Sequence, residues 1–512
     1  MTLVQNRFWH IQSGTSEKQL LDKLAENFKV EKDSPSTIGV CILDDPDAAV
    51  SAAGKLLVKA GRNQWWLYHD EGIDKVSRVS AKARFWWDLP DSALKSNLKE
   101  LIDLRAVIPV EDINVSEQAF VTRNEDEKIV LRGNLTVVCR ADQPSSNCLF
   151  VELRPLRGYE KAFERTVELL QGLLSQELEA VSMQAMVQHC GIGPEVAETK
   201  PGFGIYGEEP VELAVRQMSL QMLRIAKGNQ QGVVDDIDTE FLHQYRVSLR
   251  KSRSLINLMK KAFPADIHQR LKTLLGDLAG CTNQLRDLDV FLLGRESYAQ
   301  MLPENFQAGF DQLFRMIAQD REKARKSVGK VFQSTDHANT FREVFEILEQ
   351  EPLYENAFAS QPVLEAASKK IIRRYQRIVA MGVKMDDKTP DEEIHELRIE
   401  CKKLRYMMEF FAELFPKKAI KGLIKTLKKL QTILGDFNDY SVQKEFLADY
   451  EKKHKRSVEL SAAINGLIAV LHQKQLHERT WVQQAFADFN QDAVREKFSE
   501  LFSSQNQPEA GK

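Results

Sequence analysis

Two strings in the C-terminal half hold the residues best suited to chemistry. One is His243-Gln-Tyr-Arg246 followed by Arg250, Lys251 and Arg253; the other is His395-Glu-Leu-Arg398 followed by Lys402, Lys403 and Arg405. On a helix turning about 100° per residue, His243, Arg246, Arg250 and Arg253 fall at roughly 0, 300, 340 and 280°, one narrow stripe. Tyr245, Leu249 and Ile256 fall on the other side. The second string behaves alike: His395, Arg398, Lys402 and Arg405 share a stripe, and Leu397, Cys401, Leu404 and Met408 face away from it. A row of like charges costs free energy unless an anion neutralises it. Arginine offers a planar fork for pairs of phosphate oxygens, and lysine adds point charge. A histidine in such a row can donate to phosphate, and the anion's field favours its protonated form. The pattern points to a phosphate-rich polyanion, with a solvated helix face as the alternative that spacing alone leaves open.

Further cations recur at helical spacing: Lys369, Arg373 and Arg377, then Lys370 with Arg374, then Lys421, Lys425, Lys428 and Lys429. The two strings are separated by 152 residues. The same offset carries Phe263-Pro264 onto Phe415-Pro416, Leu271 onto Leu423, Leu278 onto Leu430, Asp287 onto Asp439 and Val290 onto Val442. One register through all these positions predicts a tandem duplication, each copy a four-helix bundle. Two such bundles could bring their cationic ridges to one groove. Asp287 and Asp439 read as caps or ion-pair partners that orient the basic side chains.

The elements that must position these residues follow from composition and periodicity. A chain of 512 residues exceeds a single core, and 43% hydrophobic content can fill more than one. The net charge of -3 excludes a nucleic-acid coat or an acidic tail for the chain as a whole. Residues 1–232 hold 27 Lys+Arg against 33 Asp+Glu and the rest 44 against 41, so net charge changes from -6 to +3 along the chain. Six cysteines without CxxC or metal-ligand spacing predict reduced thiols and no metal site. The start MTLVQNRFWHIQSG has no apolar signal core, and no run approaches the ~20 apolar residues of a membrane span. A cytoplasmic protein without a membrane partner is expected.

The fold class expected is an α+β N-terminal domain followed by an all-α duplicated helical bundle. STIGVCIL, NQWWLYH, RFWWDL, EKIVLRGNLTVVCR and NCLFVEL read as strands, and EKQLLDKLAENF and DSALKSNLKELIDL as helices. YEKAFERTVELLQGLLSQ reads as a closing helix, and GIGPEVAETKPGFGIYGEEP as a linker with a glycine turn. The boundaries expected are 1–195 for the first domain, 196–212 for the linker, 213–502 for the helical domain and 503–512 for a disordered tail.

At its basic strings the chain resembles the CHAD family, the conserved-histidine α-helical domain. The matching segments are EFLHQYRVSLRKSRSLI, LRDLDVFL, IHELRIECKKLRYMMEFF and LQTILGDFNDYSV, spread over about residues 215–500. The resemblance implies two pseudo-symmetric bundles around a basic cavity that binds inorganic polyphosphate, with association to polyphosphate granules and their proteins. By position it implies His243, Arg246, Arg250, Arg253, His395, Arg398, Lys402 and Arg405 as ligand contacts. Lys251, Lys403, Arg373, Arg374, Arg377, Lys425 and Lys428 complete the expected polyphosphate-binding set. The first half resembles the CYTH, or triphosphate tunnel, domain through GKLLVKAGRNQWWLYHDEG, ARFWWDLP and VELRPLRGYEK. Tunnel enzymes open on an ExExK strand whose carboxylates hold a divalent metal. This chain opens RFWHIQSG, and its first acidic residue is Glu17. A degenerate antiparallel β-tunnel without catalytic residues, cofactor or metal is therefore expected, with Lys55, Lys59, Arg132, Arg140 and Arg154 as basic residues that could still line it. The competing function is a metal-dependent inorganic triphosphatase in that tunnel. Nucleic acid is a poorer partner, because no aromatics interleave the basic stripe.

Overall fold

The computed structural model describes residues 6–178, 182–194, 202–386, 388–454 and 457–503. Residues 196–201 of the expected linker and 504–512 of the expected tail lie outside them. The chain divides into two compact units, Met1–Lys200 and Pro201–Lys512.

The first unit is built on one antiparallel sheet. Its strands are β1 (Arg7–Ile11), β2 (Lys29–Lys32), β3 (Ser36–Asp44), β4 (Leu56–Ala60), β5 (Gln64–His69), β6 (Gly72–Ser77), β7 (Ile108–Arg123), β8 (Ile129–Arg140), β9 (Asn147–Pro155) and β10 (Leu174–Leu178). They run in the order β10-β1-β9-β8-β7-β3-β4-β5-β6, with β2 also on β7. Alternation along each strand divides apolar side chains between the two faces, and both faces are covered. One face, with Phe8, Ile42, Val58, Val115, Val138 and Phe150, packs on α5 (Met183–His189). The other is covered at one end by α1 (Glu17–Ala25) and α4 (Glu160–Leu170), and at the other by α2 (Ala49–Ala52) and α3 (Ala93–Ile102). Among the described residues no pairing joins β6 to β10, so the sheet is antiparallel but its closure into a tunnel is not displayed.

Two segments depart from expectation. RFWWDL is a single 3-10 turn at Trp86–Asp88, because the Asp88 carboxylate accepts from the backbone of Arg84 and Phe85 and Pro90 follows. The closing helix stops at Leu170, and its last residues become β10, which pairs with β1. Gly172 lies at that change of direction, and Gln12 N–H donates to Leu173 O across it.

The second unit is helical. Its first half comprises α6 (Val211–Gly228), α7 (Gln230–Val234), α8 (Thr239–Leu258), α9 (Ala265–Gly280), α10 (Asn283–Leu293), α11 (Arg295–Ala299), α12 (Gln307–Phe332) and α13 (Thr335–Glu349). After α14 (Ala357–Ser360), the second half holds α15 (Val363–Gly382), α16 (Asp391–Phe410), α17 (Lys417–Lys453), α18 (Val458–Phe489) and α19 (Asp492–Phe502). α15 starts 152 residues after α6, α16 starts and ends 152 residues after α8, and α17 starts 152 residues after α9. One core runs through both halves.

Equivalent elements also meet. Val211 N–H donates to Gln361 O at 3.1 Å and Val363 N–H donates to Glu209 O at 2.8 Å, a reciprocal bridge flanking Pro210 and Pro362. α8 packs on α16 and α12 on α18. The α12–α18 approach is close enough that a Cβ at Gly309 would collide with the Glu459 carbonyl. The described part of the expected linker belongs to this unit: Ile205 is buried, and Gly204 and Ile205 N–H donate to Glu413.

Candidate anion-binding site

α8 begins at Asp238, whose carboxylate caps Glu240 and Phe241 N–H, and α16 begins after Pro390 with three acidic residues in its first turn. Both bury their apolar side completely: Tyr245, Leu249 and Ile256 on α8, and Leu397, Cys401, Leu404 and Met408 on α16, are 0% exposed. The cationic stripes are thereby held on the opposite side of each helix. Because α8 and α16 pack on each other, the stripes meet where the 152-residue offset maps one onto the other, at Arg250 and Lys402.

The charges at that meeting point are crowded. Burial, with Arg398, Arg250 and Arg405 nearby, pushes Lys402 down to about 8 against the opposing pull of Asp439. Arg246 is lowered by burial, Arg250 and Arg286, and Arg286 by burial and Arg250, with Asp287 opposing in each case. His243 is lowered by burial and by Arg286, Arg250 and Arg246, against Glu240. Burial raises Asp287, which faces Arg246 and Arg286. Partly desolvated cations with too few carboxylates between them are an arrangement that an anion stabilises.

The two halves orient their side chains differently. α9 and α10 are separated by a break at Cys281–Thr282, where α17 continues without one. Arg246 Nη1 uses the break, donating to Ala279 O at 3.2 Å, Thr282 Oγ1 at 2.7 Å and Asn283 Oδ1 at 2.8 Å. On α16, Arg398 Nη2 donates to Asp439 Oδ1 at 3.1 Å. Asn438 Nδ2 also donates to that carboxylate, which turns Asn438 Oδ1 toward His395 Nδ1. Nε2 is then the His395 nitrogen that can meet an anion. Asp439 thus acts as the orienting ion-pair partner expected of it.

Not every expected cation joins the ridge. Lys403 lies about 80° round α16 from His395, on the flank opposite Arg398 and Lys402. There Lys403 Nζ meets Glu400 at 2.8 Å, Arg374 pairs with the same buried carboxylate, and Arg377 meets Glu396 at 3.2 Å. Lys403, Arg374 and Arg377 of the expected polyphosphate-binding set thus lie beside Glu396 and Glu400 on this flank. Arg373 is exposed on the same side of α15 as Arg377, and Lys251 occupies on α8 the position of Lys403. Lys425 and Lys428 are exposed on α17, and helical spacing puts them on the face that leads to Asp439. Arg253 packs at Gly276, and Arg405 pairs with Glu409 at 3.6 Å. Arg286, Thr282, Asn283 and Asn438 are site residues the sequence pattern did not single out. The signal for two of them was present, since Arg286-Asp287 and Asn438-Asp439 are related by the 152-residue offset.

The family model of the CHAD domain matches residues 218–448, from within α6 to within α17. This region is a CHAD domain. It contains both cationic stripes and their meeting point. Solved structures similar to the chain include the CHAD domain from the plant Ricinus communis, at 20% identity and a TM-score of 0.45, covering 60% of this chain and 97% of that one. PptA from Streptomyces chartreusis is similar at 16% identity and a TM-score of 0.41, covering 55% and 99%. No curated protein matches the chain.

Within the first unit, three of the five basic residues expected at a tunnel are engaged. Arg140 meets Glu111 at 2.5 Å, Arg154 meets Glu152 at 2.6 Å, and Lys55 donates to Asn97 at 3.1 Å. Lys59 lines a cavity with Cys41, Arg84 and Asp112, and Arg132 is exposed, paired in register with Arg154. Among the described residues there is no cluster of three or more His, Cys, Asp or Glu able to hold a metal, and no helix long and apolar enough to cross a membrane.

Proposed function

We propose that the CHAD domain binds inorganic polyphosphate along the ridge formed by His243, Arg246, Arg250, Arg286, His395, Arg398, Lys402 and Arg405. The observation that carries this is the approach of Arg250 and Lys402, one from each half, in a partly buried setting that depresses Lys402 to about 8. A linear polyanion can touch both halves at once, whereas a single small anion would leave most of the ridge unneutralised. The two halves are read as copies of one ancestral bundle, and the first unit as a degenerate tunnel fold acting as partner or scaffold. Association with polyphosphate granules follows from the ligand. The competing triphosphatase reading gains no support from the opening strand, where Phe8, Trp9 and Ile11 are buried in apolar clusters instead of metal-binding carboxylates.

Titration of the full chain with polyphosphate of defined lengths tests the reading. Affinity should rise with chain length and fall with salt, with a log–log slope of about −0.7 for each phosphate neutralised, by analogy with single-stranded polyanions. It should also fall as pH rises through about 8, where unliganded Lys402 loses its proton. Because His243 sits below its usual 6.5 when unliganded and an anion raises it, affinity should climb again as pH drops through 6.5. A salt-independent affinity, or one unchanged from pH 7 to 9, would contradict the proposal.

A further inference from the structure

A second cationic site lies on the other flank of α16. A cavity of about 220 Å³ is lined by Leu258 from the end of α8, by Lys370, Arg373, Arg374 and Arg377 from α15, and by Met407 from α16. Met407 and Glu400 fall roughly 120 and 140° round α16 from His395, whereas the ridge, His395 included, occupies roughly 280 to 360°. The cavity is therefore separate from the ridge.

Its charge is only partly balanced. Glu400 and Glu396 take up Arg374 and Arg377, leaving Lys370 and Arg373 beside the chain turn that carries Lys260 and Lys261. Lys370 is lowered by burial and by Arg374, Lys260, Lys261 and Arg373, with no carboxylate opposing. It also lies over the Phe358 ring at 5.0 Å. Arg374 Nε is buried without a hydrogen-bond partner among the described residues. Among the described residues no ion pair joins Lys370 or Arg373 to a carboxylate, so their charge is not neutralised by the protein itself.

The repeat shows what this place looks like when it is not a site. Subtracting the 152-residue offset, Lys370, Arg373, Arg374 and Arg377 correspond to Met218, Gln221, Met222 and Ile225. There the chain fills the space itself: Phe203 packs against Phe410 with ring centroids 6.5 Å apart, and Gln221 Nε2 donates to Phe203 O at 2.8 Å. Glu413, the counterpart of Lys261, accepts from Gly204 and Ile205 N–H. At the cationic place the counterpart of Phe203 is Glu355, which is exposed, and the cavity remains open.

We infer that the cavity between α8, α15 and α16 is a separate site for a compact phosphoanion of the pyrophosphate class, held by Lys370, Arg373 and Arg374. Arginine forks and a half-buried lysine suit phosphoryl oxygens, and a volume of about 220 Å³ suits a short phosphoanion better than a polymer. The inference does not depend on the polyphosphate ridge.

Calorimetric titration of the full chain with pyrophosphate tests it. Wild type should bind at one site. Lys370→Met/Arg373→Gln, which installs the residues of the equivalent positions in the first half and keeps Arg374 with Glu400, should weaken binding by at least about tenfold. Arg250→Ala/Lys402→Ala should leave it within about twofold, whatever it does to long polyphosphate. Circular dichroism confirms that each variant is folded. Undiminished binding by the α15 variant, loss confined to the ridge variant, or no pyrophosphate binding by wild type at millimolar concentration would each overturn the inference.

Discussion

Replacing Arg250 and Lys402 together by glutamate is expected to weaken long-chain polyphosphate binding by at least about 100-fold at constant salt. Each charge-assisted hydrogen bond contributes about 1.5 to 3 kcal/mol, so losing two removes about 3 to 6 kcal/mol before the new repulsion is counted. Both positions are central because the ridges of the two halves meet there, and Lys402 already senses Arg250. Filter binding or calorimetry measures the change, and a loss under threefold would show that the ridge is a solvated face. The same crowding sets a sign for stability. Lys402 is depressed in the folded chain, so charging it opposes folding below about 8, and that cost is relieved as pH rises from about 8 toward its usual 10.5. Its replacement by a neutral residue should leave the fold at least as stable at neutral pH, while binding declines.

Glu212→Ala is expected to cost about 3 to 5 kcal/mol of stability, the largest single-residue effect on the helical unit. Glu212 is 0% exposed, and its carboxylate accepts from Arg216 Nε and Nη2 and from Leu353 and Tyr354 N–H. Arg216, itself buried, also donates from Nη1 to Ile347 O. Truncating the acid strands a buried guanidinium and two backbone donors, and frees the 350–356 connection from α6. The equivalent positions in the second half are Leu364 and Ser368, an uncharged pair. Glu212→Leu/Arg216→Ser should therefore recover part of the loss, since removing both charges avoids an unpaired one. Urea denaturation followed by helical circular dichroism decides this, and a loss under 1 kcal/mol for Glu212→Ala would show that the ion pair is dispensable.

The helical half was legible in the sequence because its signals are local and repeated. Helical spacing alone separates Tyr245 and Leu249 from Arg246 and Arg250, and the structure buries the first pair to 0% exposure. The 152-residue register recurs in helix bounds. What spacing cannot supply is the neighbour across a helix packing. Arg286 enters the site because α10 lies beside α8, and Arg246 is oriented by a break at Cys281–Thr282 that the periodicity does not announce. Lys403 is a different case: its angle on α16 puts it on the flank of Glu396 and Glu400, where it pairs with Glu400.

The N-terminal unit was less legible. STIGVCIL and EKIVLRGNLTVVCR become β3 and β8, because β-branched residues alternate in both. RFWWDL has the composition of a strand, but the Asp88 carboxylate and Pro90 favour a turn. β7, Ile108–Arg123, is hard to see because acidic and polar residues interrupt its apolar positions; it forms by pairing on both sides, with β3 and β8. Nonlocal pairing of this kind overrides local propensity.

The most direct test of the two-ridge site is a double-mutant cycle on polyphosphate affinity using Arg250→Ala, Lys402→Ala and the pair. If the two halves grip the same stretch of polymer, the losses will be non-additive, with a coupling of at least about 0.5 kcal/mol. Strictly additive losses would mean that Arg250 and Lys402 serve separate anions, and a single shared site would be contradicted.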